Sequence, residues 1–457
     1  MIMNHRLERI LFYIFLFAVP FQTRLILKSW GLPAQAGNGF DEWNSAFLYG
    51  TDILLVTIFI FWAIRTLHGH RVHDDRVVDK SKSGLFLVVF LVISALSITQ
   101  ASNQLLGFYN GIKVLELTGL YFYVRSSLDK IFGLRGALLA IIISGFFQSL
   151  IAIGQSLLQH SLGLKWLGES ILRTNFNGVA VVPVAGEKFL RAYGTTPHPN
   201  ILAAWLFLAI FAFYFWFLYR TQKSIDTTDQ RPRGNNLVIY TVLLWGLFST
   251  FSRVAIGLLF VGIAVRFLIV LLKRKKYGLH PVFKKKLRQL AAVTVMGVIL
   301  FGFFYWPPVR SRLLISAQEQ AVSQRIFYAK TAREMILNRP WLGVGPGQFV
   351  GTMRSLWKNY PTYLYQPVHN IYLLILNESG FLGLAAFLGW LAVLIIEYCL
   401  KTRFRKLYHT SFFIIFLSVL VMGLFDHFLW TLQQGQLMFW LTAGLISATG
   451  AGLEKVI

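Results

Sequence analysis

Residues 200–219, NILAAWLFLAIFAFYFWFLY, form a run of twenty residues without a charged side chain. A helix needs about 20 mostly apolar residues to cross the hydrocarbon core of a bilayer, which is about 30 Å thick. The whole chain of 457 residues shares this character, because 56% of its residues are hydrophobic and only 14% are charged. Soluble globular proteins carry about 25% charged residues. We therefore interpret the chain as an integral membrane protein.

Apolar runs of similar length recur along the chain. The first follows Arg6 and Arg9 and has no small-residue cleavage site after it, which favours a transmembrane helix over a removed signal peptide. The sequence thus predicts an all-α polytopic membrane protein with about 12 transmembrane helices. The candidate helices cover residues 10–27, 51–67, 84–100, 107–124, 136–158, 200–219, 237–251, 254–272, 289–306, 381–400, 411–426 and 431–449.

The charge distribution predicts how the chain is oriented. It has 44 Lys and Arg residues against 19 Asp and Glu residues, a formal net charge of +25. Such an excess can indicate nucleic-acid binding, but most basic residues here lie in short segments between apolar runs. With the N-terminus in the cytoplasm, the clusters KRKK (273–276) and KKK (284–286) are cytoplasmic, as the positive-inside rule requires. We expect this topology and no nucleic-acid partner.

Two segments on the predicted outer side are long. They cover about 159–199 and 307–370, and the second is rich in basic residues although it faces outward. Within it, apolar residues recur at helical spacing over 316–338, which predicts an amphipathic helix. Pro340 follows and ends that helix, because proline lacks the amide donor and clashes with the preceding turn. The predicted fold therefore includes a large helical periplasmic loop between transmembrane helices 9 and 10.

Several residues suited to chemistry lie where outer segments meet predicted helices. His369 can be neutral at pH 7 and can take a proton from a hydroxyl. Arg191, Arg253 and Arg325 can form bidentate, charge-assisted bonds to phosphate. Alone, each also fits a simpler role, such as an interfacial histidine, a snorkelling arginine or a solvated helix face. Together they indicate a site for a diphosphate whose lipid tail stays in the bilayer.

Acidic residues give a second indication. The two long outer segments contain no acidic pair or DxD sequence for a divalent metal, so arginines would have to stabilise a departing diphosphate. Glu116 lies one turn from Lys113 and is expected to pair with it, while Glu378 and Asp426 lie near the outer side. An ion-coupled transporter usually carries buried carboxylates along its path. The pattern therefore favours interfacial chemistry over transport.

Four motifs in order resemble the O-antigen ligase and polymerase superfamily. The chain carries RAYGTTPHPN (191–200), FSTFSRVAIG (248–257), Gln324-Arg325 with PWLGVGPGQF (340–349), and HNIYLLILNESGFLG (369–383). They are similar to the family's HPN block, its Ser-Arg hairpin, its QR and GVG block, and its re-entry motif. The resemblance is detailed over about 190–385, and residues 1–160 carry none of these motifs.

The resemblance implies a membrane glycosyltransferase. Such an enzyme lies in the bacterial inner (plasma) membrane, with its active site on the periplasmic side. It moves a glycan from undecaprenyl diphosphate to an acceptor hydroxyl, without a cofactor or metal and with inversion of the sugar anomer. The implied catalytic residues are His369 as general base and Arg253 and Arg325 as diphosphate binders. The implied substrate-binding residues are Arg191, His198, Asn200, Gln324 and Asn370, although Asn200 is also suited to cap the helix that begins there.

The resemblance leaves the acceptor open. In ligases the acceptor is the lipid A-core, in polymerases another lipid-linked glycan, and in related oligosaccharyltransferases a protein side chain. The spacing from His369 to Gly380 leans towards a ligase. A polysaccharide or lipid exporter is a candidate from another class, and a structural or assembly membrane protein is a third. An exporter would not need His369, and a structural protein would tolerate substitution of the arginines.

The same pattern divides the chain into four predicted parts. They are 1–190 with helices 1–5 and the first long outer loop, 191–306 with helices 6–9 and the Ser-Arg hairpin, 307–370 as the periplasmic catalytic loop, and 371–457 with helices 10–12.

Overall fold

The computed structural model describes most of the chain. It covers residues 5–30, 40–68, 82–224, 235–272, 281–314, 320–404 and 407–450. The basic cluster at 273–276 and the first residues of the predicted amphipathic helix, 316–319, lie outside this part.

The described residues before position 199 include five long helices and four short strands. They are α1 (His5–Ala18), β1 (Arg24–Ser29), β2 (Ser45–Tyr49), α2 (Gly50–His68), α3 (Lys82–Ser97), α4 (Gln104–Ser127), α5 (Leu134–Leu158), β3 (Val181–Val184) and β4 (Glu187–Leu190).

The rest of the described chain is helical. It comprises α6 (Pro199–Ser224), α7 (Asn235–Ser249), α8 (Arg253–Leu272), α9 (Pro281–Phe304), α10 (Trp306–Leu313), α11 (Gln320–Asn338), α12 (Phe349–Leu356), α13 (Ile371–Thr402), α14 (Leu407–Phe425), α15 (Phe428–Thr431) and α16 (Gln433–Gly450).

These helices make the chain a multi-pass membrane protein. Seven of the described helices are long and apolar enough to cross a membrane, and two shorter apolar helices accompany them at Asn236–Ser249 and His409–Phe425. The remaining predicted spans fall on α1, α4 and α16. The count of twelve spans stays a prediction. The predicted amphipathic helix is confirmed as α11.

The described chain is mostly helical with little sheet, consistent with the predicted all-α membrane protein, but the first predicted span at 10–27 does not match one helix. α1 ends at Ala18, and residues 24–29 form β1, which pairs antiparallel with β2. Pro20 disfavours helix in the residue before it and removes a donor. Arg24 then forms an ion pair with Glu42 and lies 4.2 Å above the ring of Phe47. A second antiparallel hairpin, β3–β4, lies within the first long loop.

α6 is the central helix. In an 18-residue stretch of its apolar span Pro199–Leu218, 94% of the residues are buried. The helix packs against α5, α7, α8, α9 and α14. A helix that is buried on all sides must be apolar on all sides, which explains the uncharged run. Its N-terminus brings Asn200 to one end of the bundle.

That end of the bundle carries the hairpins and the long connecting segments. Ser311 of α10 donates to the backbone oxygen of Pro183 in β3 at 2.6 Å. Arg354 of α12 forms an ion pair with Asp41, which precedes β2. We call this end the loop end, defined by the hairpins β1–β2 and β3–β4 together with α10, α11 and α12.

The tenth predicted span, 381–400, starts too late. α13 begins at Ile371 and is interrupted at Gly380, which has φ of 68°. The segment 340–345 docks on this interruption: Val344 N donates to Asn377 O at 2.8 Å, and Phe381 N donates to Pro340 O at 2.8 Å. The loop therefore supplies hydrogen bonds that the broken helix cannot make internally. It is fixed to the helix that follows His369.

We predict that Gly380→Ala destabilises the protein by about 3 kcal/mol or more, because it combines backbone strain with overpacking. A Cβ atom there would lie 2.0 Å from the backbone oxygen of Trp341, and the positive φ is unfavourable for alanine. Gly257→Ala is the matched control, since its Cβ meets nothing within 4 Å. Thermal unfolding in detergent measures both. Equal melting temperatures for the two variants would contradict the docking described here.

Candidate functional site

The candidate site lies at the loop end, where several helices begin or end. α6 begins at Pro199, α8 begins at Arg253 and α13 begins at Ile371, while α14 ends at Phe425. Each helix N-terminus carries a partial positive charge from its aligned peptide dipoles. Together with nearby arginines, these termini favour an anionic ligand.

A chain of hydrogen bonds runs through the site. Arg191 Nη2 donates to Asn200 Oδ1 at 2.6 Å, and Asn200 Nδ2 donates to Asp426 Oδ2 at 2.7 Å. A carboxylate only accepts hydrogen bonds, which fixes the orientation of the Asn200 amide. The other Asp426 oxygen accepts from the backbone N–H of His427 at 2.8 Å. The Asp426 carboxylate is therefore held in place although it is buried.

His369 lies beside this carboxylate. Its ring is stacked on Tyr328 with centroids 5.3 Å apart, and it meets the ring of His427 edge-on at 4.8 Å. His369 Nδ1 lies 3.1 Å from the backbone oxygen of Pro367. Because a carbonyl oxygen only accepts, we assign the proton to Nδ1. Nε2 is then the ring nitrogen that can accept a proton.

Burial keeps the histidines of the site neutral. Burial lowers the pKa of His369, and Arg325 acts in the same direction, while Asp426 and the Pro367 carbonyl oppose them. Burial lowers the pKa of His198 to about 4 and that of His427 to about 3. The main cause of the lowered His369 pKa is thus burial, and Arg325 adds to it.

Asp426 is ionised in this surrounding. Burial by itself would raise the pKa of this carboxyl group. His427, His369 and His198 become protonated in acid, and their positive charges together with the donor amide of Asn200 nevertheless hold the pKa of Asp426 well below its usual value. The site therefore pairs a fixed negative charge with neutral imidazoles.

The predicted arginines surround this centre. Arg191 Nε donates to the backbone oxygen of Thr250 at 2.8 Å. Burial, then Arg312, lower the pKa of Arg191 to about 9, so it remains charged at neutral pH. Arg253 Nε donates to the backbone oxygen of Arg312 at 2.7 Å. Arg325 of α11 is exposed, and its Nη2 donates to Phe425 O at 3.3 Å, next to Asp426.

The other predicted substrate-binding residues have different surroundings. The Asn370 side chain caps α13 by accepting from the backbone N–H groups of Tyr372 and Leu373. His198 Nδ1 accepts from the backbone N–H of Asn200 at 3.2 Å. Gln324 is half-buried on α11, beside Arg325.

Sequence reasoning missed several residues of this site. Asp426 was visible near the outer side but had no role, and His427, Tyr328 and Arg312 were not singled out. Trp43, in the segment between β1 and β2, meets the ring of His427 edge-on, with the ring centroids 5.3 Å apart. The only local signal was the acidic residue directly followed by a histidine at 426–427. The other contacts join segments that are distant in sequence.

Three of these side chains could also hold a metal ion. His369, Asp426 and His427 each offer one ligand atom, and these atoms lie within 4.8 Å of one another. Imidazole and carboxylate ligands suit Zn²⁺ and related ions. The prediction of no metal rests on the missing acidic pairs and DxD motifs. The group His369, Asp426 and His427 could not be found in that way, because its residues come from two distant places in the sequence.

Comparison with known families locates the resemblance. A family model described as O-antigen ligase matches residues 237–388. No curated protein matches the chain. The family match confirms the resemblance to the O-antigen ligase and polymerase superfamily. It includes Arg253, Arg325 and His369, and it leaves out the segment 191–200 and Asp426.

We predict that Asp426→Asn lowers kcat by about tenfold or more, by analogy with other carboxylates that orient a catalytic histidine. It should also move the acidic limb of the pH–rate profile to lower pH. The negative charge of Asp426 raises the pKa of His369, so its removal lowers that pKa and keeps the base neutral further into acid. The profile is measured in proteoliposomes from about pH 5 to about pH 8, around the ordinary histidine pKa.

Asp129→Asn is the control for this profile, because Asp129 is exposed at the opposite end of the bundle, between α4 and α5. If Asp426→Asn is slower but its acidic limb stays at the wild-type pH, Asp426 has only a structural role and does not act on the pKa of His369. A shift to higher pH would contradict the electrostatic reasoning.

Proposed function

We propose, from the match of residues 237–388 to the O-antigen ligase model, that this protein is a membrane glycosyltransferase. It transfers a glycan from undecaprenyl diphosphate to an acceptor hydroxyl at the periplasmic face of the bacterial inner membrane. One observation carries the proposal. The neutral His369 lies beside the buried carboxylate of Asp426, and Arg191, Arg253 and Arg325 lie on three different segments at the same end of the bundle.

The proposed reaction is a direct displacement. His369 Nε2 takes the proton from the acceptor hydroxyl while its oxygen attacks the anomeric carbon of the donor. The bond from that carbon to the diphosphate oxygen breaks, and the diphosphate leaves with the electron pair on its lipid carrier. One bond forms as one breaks, so the anomeric configuration inverts.

The arginines stabilise the charge that develops on the diphosphate. Arg253 approaches from the start of α8 and Arg325 from α11, and a guanidinium can bind two phosphate oxygens at once. Arg191 adds positive charge behind them and holds Asn200. Fixed charges of this kind are effective because they need no reorganisation during the reaction.

Asp426 acts as a positioning residue for the base. Its carboxylate is fixed by Asn200 and lies beside His369 and His427. After His369 accepts the proton, the imidazolium is stabilised by this negative charge. The same arrangement makes His369 the base, because it is half-buried and reachable whereas His427 is buried.

The acceptor determines which member of the superfamily the enzyme resembles. We propose the ligase type, with a lipid A-core acceptor, from the spacing of His369 and Gly380. A polymerase with a second lipid-linked glycan as acceptor is the alternative within the same chemistry. An exporter of polysaccharide or lipid is the alternative from another class.

We predict that Arg253→Lys lowers kcat by about a hundredfold, the usual cost of losing a group that stabilises transition-state charge. One ammonium cannot replace the planar fork of guanidinium donors. Arg173→Lys is the matched control, since Arg173 is exposed and stacks on Phe176 away from the site. Near-normal transfer by Arg253→Lys in proteoliposomes would remove Arg253 from the site.

Deletion of the gene in the source organism tests the function itself. Surface glycolipid and the undecaprenyl-linked pool are then compared on gels. For the ligase, we expect polymer on the isoprenoid carrier and none on the acceptor lipid. Surface lipid with a single repeat would instead identify the polymerase. Single repeats trapped on the cytoplasmic side would identify an exporter and overturn the proposal.

A further inference from the structure

A separate cavity lies next to the histidines at the loop end. It has a volume of about 90 Å³. It is bordered by β2, α3, α4, α13, α15, α16 and residues 346–350. The residues that matter most for its chemistry are Trp43, Ser94, Pro367, Trp430, Thr431 and Gln433.

The lining of the cavity combines aromatic rings with polar groups. Trp430 and Trp440 offer ring faces, while Asn110, Glu378 and Gln436 offer hydrogen-bonding groups. A pyranose ring has the complementary chemistry, with apolar C–H faces and a rim of hydroxyls. Aromatic side chains with a polar handle suit ligands of this mixed character.

Two buried polar atoms in the lining have no partner within the described part of the chain. They are Gln433 Oε1 and Ser94 Oγ, and their side chains are only 2% and 5% exposed. Buried polar groups are normally hydrogen-bonded, because leaving one unpaired is costly. These two atoms are therefore available to a ligand.

The orientation of Gln433 is fixed by an ion-pair network. Its Nε2 donates to the Asp52 carboxylate and to Thr51. Lys113 in turn contacts Asp52 at 2.7 Å and, as the sequence predicts, Glu116 at 2.6 Å. Because the carboxylate can only accept, the amide cannot flip, and the unpaired atom must be the acceptor oxygen. That oxygen is suited to a ligand hydroxyl.

The cavity borders the histidines through two of its lining residues, and none of the three predicted arginines lines it. Its lining residue Pro367 accepts from His369, and Thr431 lies 2.7 Å from His427 Nδ1. The arginine side is joined to the centre through Asn200 and Asp426. In a direct displacement, the attacking hydroxyl and the leaving diphosphate lie on opposite sides of the anomeric carbon. The cavity has none of the three predicted arginines in its lining, so it suits the acceptor that carries the attacking hydroxyl rather than the diphosphate.

We propose that this cavity binds a sugar residue of the acceptor, close to the part of the acceptor whose hydroxyl His369 deprotonates. The inference rests on the proposed glycosyltransferase function and names the acceptor side of its site. At about 90 Å³, the cavity accommodates part of one sugar ring, and the rest of the acceptor extends outside it. Lipid A-core and a lipid-linked repeat both present such a ring.

The test compares Ser94→Ala with Ser97→Ala in proteoliposomes. Ser94 Oγ is unpartnered in the structure, so its removal should leave folding intact, whereas Ser97 Oγ donates to Ile93 O within α3. Loss of one hydrogen bond to the acceptor should raise the acceptor KM by roughly three- to tenfold. The donor KM should change by less than about twofold, and Ser97→Ala should leave both KM values unchanged.

Gln433→Met and Gln434→Met form a second pair. Gln434 is equally buried but donates to Phe21 O and does not line the cavity. Gln433→Met should raise the acceptor KM and Gln434→Met should not. Unchanged acceptor KM values for Ser94→Ala and Gln433→Met would overturn the proposal, as would a rise confined to the donor KM. Lipid A-core and a lipid-linked single repeat are each used as acceptor.

Thermal unfolding in detergent separates failure of this inference from failure of the function. Either acceptor, added without donor, should raise the melting temperature of the wild-type protein more than that of Ser94→Ala. This shift requires no catalysis. If the wild-type protein transfers no glycan but shows the shift in melting temperature, the proposed function is wrong and the binding of the acceptor in the cavity is supported. If neither acceptor produces a shift, the cavity proposal is wrong.

Discussion

The Asp426 carboxylate is buried at the end of the helix bundle, where an uncompensated charge would cost several kcal/mol. Its surroundings provide the compensation: the Asn200 amide donates to it, Arg191 holds that amide, and the backbone of His427 donates to the other oxygen. Arg191 and Asn200 come from the segment 191–200, and His427 directly follows Asp426. The buried charge therefore connects the start of α6 with the end of α14, and the imidazole of His369 lies close to it.

The re-entry motif at 369–383 combines three separate physical tasks. His369 presents Nε2 to the site, Asn370 caps α13, and Gly380 opens that helix so that the segment 340–345 can dock. Only the first task belongs to the proposed chemistry. The docked segment leads into residues that line the cavity, so the glycines act by positioning loop and helix against each other.

Much of the architecture could be predicted from the sequence. Apolar runs located the helices, because a bilayer leaves little choice of segment length and polarity. Arginines at loop junctions were identifiable because a charge at that depth needs a partner. β1–β2 was missed because residues 25–27, Leu-Ile-Leu, are apolar and continue the apolar run of the first predicted span past Arg24. Asp426, His427 and Trp43 could not be joined to His369, because nothing in local spacing encodes contacts between such distant segments.

The central claim is that His369 activates the acceptor without a metal ion. The most direct test is the single-turnover rate of glycan transfer by His369→Gln in proteoliposomes containing EDTA. His160→Gln is the control, since His160 is exposed in the first long loop. We expect wild-type protein and control to transfer at the same rate and His369→Gln to be at least about a hundredfold slower. A rate for His369→Gln within a few-fold of wild type, or a wild-type rate abolished by EDTA, would contradict this account.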